Sequence, residues 1–240
     1  LTGYQKIQAA FCTDVEAEDS LCVEKQQEQQ HAIFLTQIAE KDFTFTEEMN
    51  LSPGRDGAVE LLDSQVCGCV TETKIVGNKL ILKGVFTVTL LYRTADGKYC
   101  STSGELPFSQ IMEVEGAGED GLVSLQLQLT GADLQIDGDD PEGRQIAVTL
   151  YLHATALLRE ARELTLLHDL YSTAYETAYE AAPLNLTSFY DTMTRRQTVR
   201  EVLEIGVLAE SILSLAAVCG PVSVSREGET ALLRTSVTIR

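Results

Sequence analysis

In the stretch LKGVFTVTLLY, residues 82–92, large apolar side chains (Phe86, Val88, Leu90) are interleaved with Thr87 and Thr89. A period of two sends alternate side chains to opposite faces, which suits a half-buried β-strand and not an amphipathic helix. LVSLQLQLTGADLQI, residues 122–136, alternates over almost its full length, and Ile146, Val148, Leu150 and Leu152 repeat the pattern. The segments between carry turn chemistry: Val76-Gly77-Asn78-Lys79, Thr94-Ala95-Asp96-Gly97 and DGDDPEG, residues 137–143. The expected fold is therefore mainly β: an antiparallel, sandwich-like domain with few or short helices. Residues 155–167 also carry near-helical spacing, at Ala156, Leu157, Ala161 and Leu164. A long bent strand, or a strand pair turning at Arg159–Arg162, is the preferred reading.

The chain contains a recurrence. VCGCVTETKIVGNKLILKG, residues 66–84, aligns with VCGPVSVSREGETALLRT, residues 218–235, across one gap. Each runs from a Val-rich segment through a turn into a second apolar strand. LTGYQKIQAAF, residues 1–11, matches residues 82–92 at Leu1, Gly3, Ile7 and Phe11, and IFLTQIAEKD, residues 33–42, matches LPFSQIMEVEG, residues 106–116. EKQQEQQ, residues 24–30, reads as a solvated protruding loop or helix. The expected organisation is the back part of one β unit in 1–58, a complete unit in 59–172, a linker in 173–197, and the front of a further unit in 198–240. Partial units expose strand edges. Three resolutions stay open: an excerpt of a longer protein, completion within one chain, or head-to-tail completion between chains.

The formal charge of −18 opposes polyanions, so nucleic acid is not an expected partner, and it is compatible with basic proteins or divalent cations. From the partial units, the expected partners are proteins or other copies of the chain. No apolar run reaches the ~18 residues of a spanning helix, so no membrane insertion is expected. Phosphate loops, H-E-x-x-H and dinucleotide fingerprints are missing from the sequence.

Few residue sets have any chemistry to offer. Asp137, Asp139, Asp140 and Glu142 place four carboxylates beside Gly138 and Gly143, a donor set for a hard cation such as calcium, but without EF-hand spacing. A solvated hairpin turn is the preferred reading. Cys67 and Cys69 lack the second pair of a zinc site and read as small structural side chains. Cys12 and Cys22 flank the turn DVEAEDS; a disulfide between them needs both to face each other across a hairpin and an oxidising compartment, and is not the preferred reading. His168, Asp169 and Ser172 are too crowded for a triad, whose members come from distant segments. Asn185-Leu186-Thr187 fits a glycosylation sequon. No catalytic residue, resident cofactor or metal is expected.

Residues 78–117, with Asn78, Lys79, Gly84, Tyr92, Pro107, Phe108 and Ser109, followed by Asp169, Tyr171 and Ser172, resemble the SPOCS domain. That domain occurs in tandem in SipL-type spore morphogenesis proteins of anaerobic Firmicutes. The resemblance implies a noncatalytic assembly module at the forespore surface or in the spore envelope. It also implies Asp169, Tyr171 and Ser172 as a junction element. The LysM module that family members often carry has no counterpart in this sequence. A carbohydrate- or cell-wall-binding module is the alternative from the β architecture alone, and the lack of Trp weakens it.

Overall fold

The computed structural model describes residues 12–52, 54–115, 118, 121–178, 180, 189, 198–202, 204, 206, 208 and 212–239. Six strands build its centre: β1 (Val23–Asn50), β2 (Ala58–Val76), β3 (Lys79–Thr94), β4 (Tyr99–Glu113), β5 (Leu122–Ile136) and β6 (Gln145–Ser172). They form two antiparallel sheets, ordered β1-β6-β5 and β2-β3-β4. The expected antiparallel β architecture is what the chain adopts. Among the described residues the only helical element is one 3-10 turn, Asp19–Leu21, and no helix is long and apolar enough to cross a membrane.

Alternation decides the packing. In β3, Leu80, Leu82, Phe86, Val88, Leu90 and Tyr92 are buried, as are Ile146, Val148, Leu150, Leu152, Ala154, Ala156 and Leu158 in β6. Each sheet thus presents its central strand's apolar row to the other. Each fully buried Leu, Val or Phe side chain removes apolar surface worth about 1.5–3 kcal/mol. β1 supplies Ala39 and Met49 to the same cores. It lies over β4, where the Lys41 ammonium donates to the Ile111 carbonyl at 2.7 Å.

One local expectation is corrected, and one open choice is decided. Glu24–Gln30 is neither loop nor helix: it is β-strand, paired with Leu164–Tyr171 of β6. Its polar side chains stand in solvent while the backbone finds partners across the ladder. Of the two readings of residues 155–167 the long strand holds and the turn at Arg159–Arg162 does not, because β6 runs unbroken from Gln145 to Ser172. The pairing with β1 holds that stretch extended, and the Arg159 guanidinium is fixed by the Ser124 hydroxyl at 2.8 Å and lies 4.5 Å from the Phe189 ring centroid. Since β5 ends opposite Arg159, β1 and β6 continue from there as a two-stranded ribbon.

The sandwich edges carry interruptions. Register shifts skip Val59 and Leu62 near the start of β2, and skip a threonine three times, Thr36 in β1, Thr71 in β2 and Thr130 in β5. In all three the threonine hydroxyl donates to a carbonyl of the partner strand: Leu158, Lys83 and Tyr151 respectively. The fourth edge, β4, is regular but contains Pro107, which has no N–H to offer. Bulges and prolines of this kind blunt an edge against further strand addition.

Towards the C-terminus, β7 (Ala217–Cys219), β8 (Ser223–Glu227), β9 (Thr230–Arg234) and β10 (Val237–Ile239) form one interrupted hairpin, β7 pairing with β10 and β8 with β9. It turns at Gly228 (φ +63°), where β2–β3 turns at Gly77 (φ +55°). A left-handed first loop position favours glycine, as two-residue hairpin loops require. Residues 1–11 lie outside the described residues, as do most of the expected linker and the sequon at Asn185.

Candidate functional site

Two of the residues singled out by the family pattern, Gly84 and Phe108, meet in one packing feature. Gly84 of β3 stands directly opposite Phe108 of β4. A Cβ at Gly84 would come within 2.5 Å of the Phe108 ring and 2.4 Å of the Cys69 carbonyl oxygen, so only glycine fits. The Phe108 ring lies over that gap and stacks on Phe86, centroids 4.4 Å apart and planes at 20°. Phe45 of β1 closes the group at 5.1 Å from Phe86. Gly68 of β2 plays the same part for Phe86, with its Cβ position 2.9 Å from that ring. Asn78 sits in the β2–β3 turn, where its carbonyl accepts the Val114 amide at 3.0 Å. Tyr92 is fully buried, with its hydroxyl unpartnered, and burial raises that hydroxyl's pKa.

The acidic loop is fastened to itself. The Asp140 carboxylate accepts backbone amides of Glu142 at 3.0 Å, Gln145 at 2.8 Å and Arg144. These bonds hold its pKa below the ordinary carboxylate value, the Glu142 amide contributing most. Asp137 accepts the Asp139 amide at 3.0 Å. Gly143 has φ +61°, and its amide and carbonyl both serve the loop: it donates to Asp140 and accepts from Ala58 at 2.8 Å. At Gly57 a Cβ would fall 1.7 Å from the Glu142 carbonyl oxygen. Nothing in the spacing of Gly57 and Gly143 announces this close approach. A cleft of about 640 Å³ borders the loop, lined by Asp56, Asp96, Asp137, Asp140 and Glu142 among others. No group of three or more His, Cys, Asp or Glu among the described residues is arranged to hold a metal ion. The four carboxylates, for which a solvated turn is the preferred sequence reading and a calcium set the weaker one, lie in the β5–β6 connection, where Asp137 and Asp140 bond its amides.

The six cysteines are free thiols, Cys12 and Cys22 included. Cys67 and Cys69 are exposed, with Gly68 between them turned toward Phe86. The Ser172 hydroxyl donates to the Leu21 carbonyl at 2.5 Å and accepts the amides of Ala174 and Tyr175, both at 3.1 Å. Asp169 accepts the Leu170 amide at 2.8 Å. His168 is the residue skipped by a register shift in the ribbon. Near the end of the strand the side chains of Asp169 and Ser172 bond to backbone groups.

Residues 58–137 match the family model described as SipL, SPOCS domain, so this stretch of the chain carries the SPOCS domain read from the sequence. The matched stretch spans β2 to β5; β1 and β6, which complete the sandwich, lie outside it. No curated protein and no solved structure matches the chain.

Proposed function

We propose that the chain is a noncatalytic structural module of sporulation, holding proteins together at the forespore surface or in the spore envelope, with other proteins or further copies of itself as partners. The observation that carries this reading is the SPOCS match over residues 58–137. Support comes from the use of the family's residues: Gly84, Tyr92 and Phe108 are committed to packing, and Ser172 to a junction. Completion of a partial unit by strand addition is opposed at the sandwich itself, where three edges are bulged and the fourth carries Pro107. Assembly contacts therefore belong to the chain's other surfaces. The test is localisation: a fluorescent fusion expressed in a sporulating anaerobic host should gather at the forespore during engulfment. A fusion that stays dispersed through sporulation removes the reading.

A further inference from the structure

The two sheets present unlike outer faces. In β6 the row Ile146, Val148, Leu150, Leu152 and Ala154 is buried, so Tyr151 and His153 stand on the outside of the β1-β6-β5 sheet. On that same outside, β1 sets Glu40, Asp42 and Glu48 beside β6, and β5 sets Asp133. Lys41 reaches the Ile111 carbonyl of β4 instead, and no Lys or Arg faces outward between the rows of Glu40 and Glu48. Of these four carboxylates, only Asp42 has a basic partner among the described residues, the His153 imidazole at 2.7 Å. The outer face of the β2-β3-β4 sheet answers its carboxylates internally: Lys83 meets Glu72 at 3.2 Å, and Arg93 meets Glu60 at 2.7 Å. At the middle of the acidic face stands Tyr151, 47% exposed. Its ring passes over Gly131, where a Cβ would lie 3.3 Å from Tyr151 Cδ2. The glycine lets the ring rest on the sheet and show its far side to solvent. We infer that this face docks a cationic segment of a partner protein, with Lys or Arg side chains on Glu40, Glu48 and Asp133 and one over the Tyr151 ring.

Charge complementarity chooses that occupant. An anionic ligand would find no cation on the face, and a second copy of the chain, itself at −18, is repelled from it. An apolar partner would leave the carboxylates desolvated and unpaired. A cation gains from both features at once, since carboxylates attract it and the face of an aromatic ring does too. The centre is held in place: His153 binds Asp42 through Nδ1, and its Nε2 lies 3.2 Å from the Thr155 hydroxyl. Every residue of the face belongs to a described strand. From Glu40 to Glu48 the face runs about 26 Å, at ~3.3 Å per residue, and three strands make it roughly 350 Å². That is under the ~800 Å² per partner of a standard interface, so the contact is weak and falls as salt screens it.

The inference rests on the assembly reading and names its partner's chemistry, but its test is separate. Fluorescein-labelled octalysine, titrated with the full 240-residue chain and followed by anisotropy at low ionic strength, should bind saturably and weaken as salt is added. Neutralising the face with Glu40→Gln, Glu48→Gln and Asp133→Asn should weaken binding about tenfold. The same change of net charge made elsewhere, with Glu24→Gln, Glu28→Gln and Glu229→Gln, should weaken it less than about twofold. Tyr151→Leu should cost about threefold, while Tyr151→Phe, which keeps the ring, should bind as wild type and so separate a lost ring from a lost fold. Equal weakening by the two charge variants overturns the inference, because the chain's overall charge then explains the binding. So does an absence of saturable binding. Capture of a neutral N-acetylglucosamine oligomer in place of octalysine, lost in Tyr151→Leu, overturns it by making the face a sugar platform. A fusion that stays dispersed in the sporulating host while the isolated chain still binds octalysine at this face removes the assembly reading instead.

Discussion

Counted from their turns, β2–β3 and the hairpin of residues 217–239 correspond closely. Both reverse at a left-handed glycine, Gly77 and Gly228, and both shift register by one residue in the first strand, past Val70 and past Cys219. Beyond the shift, Phe86 faces Gly68 and Val237 faces Cys219. What differs is the cover. β3 is roofed by β6, so its alternation becomes a core, while the same alternation in β9 and β10 meets solvent. Local sequence therefore specifies the hairpin, and only long-range packing specifies whether it is stable.

Paired substitutions break or sharpen that comparison. The largest difference is expected at Leu82 and Leu233. Leu82→Ala empties a fully buried site and should cost about 2–5 kcal/mol in urea unfolding followed by far-UV circular dichroism. Leu233→Ala, at an exposed site, should stay within about 0.5 kcal/mol. A comparable loss at both would show that the C-terminal face is already buried in the free chain. A smaller contrast is expected at Gly84 and its counterpart Thr235. Gly84→Ala drives a methyl into the Phe108 ring and the Cys69 carbonyl, an overpacking cost of about 1–3 kcal/mol. Thr235→Ala removes one exposed hydrogen bond to the Gly220 carbonyl and should be nearly silent in the same assay.

Much of this was legible in the sequence, and the limits have physical causes. The alternation of residues 82–92 and 146–152 and the glycines of the turns are local signals, and they gave strands, faces and reversals. The SPOCS pattern identified Gly84 and Phe108, but not that one fills the gap left by the other, since cross-strand register is a long-range property. EKQQEQQ misled because its propensity favours a helix or a solvated loop, and pairing with LTLLHDLY overrides it. At Arg159–Arg162 the sequence left a long strand and a strand pair side by side, because charged residues in a paired strand resemble a loop, and β6 takes the long strand. The threonine bulges had no sequence signal at all: Thr36, Thr71 and Thr130 look like any other strand threonine until the ladder is drawn.

The smallest effect concerns turns. The β5–β6 turn is anchored by Asp140, whereas the turn at Gly228 is closed by local bonds, such as Arg226 Nε donating to the Gly228 carbonyl. Asp140's folded pKa is depressed, chiefly by the Glu142 amide, then by those of Arg144 and Gln145. A depressed carboxylate contributes stability that is present above its unfolded pKa, ~3.9, and lost as pH falls through the folded value. Asp140→Asn should therefore lower the melting temperature at neutral pH, and its gap to wild type should close as pH falls below that range. Glu229→Gln, in the unanchored turn, should track wild type throughout. A gap for Asp140→Asn that persists undiminished in acid would mean that the turn depends on the shape of the side chain, not on its charge. The anchored and unanchored turns would then differ in packing alone.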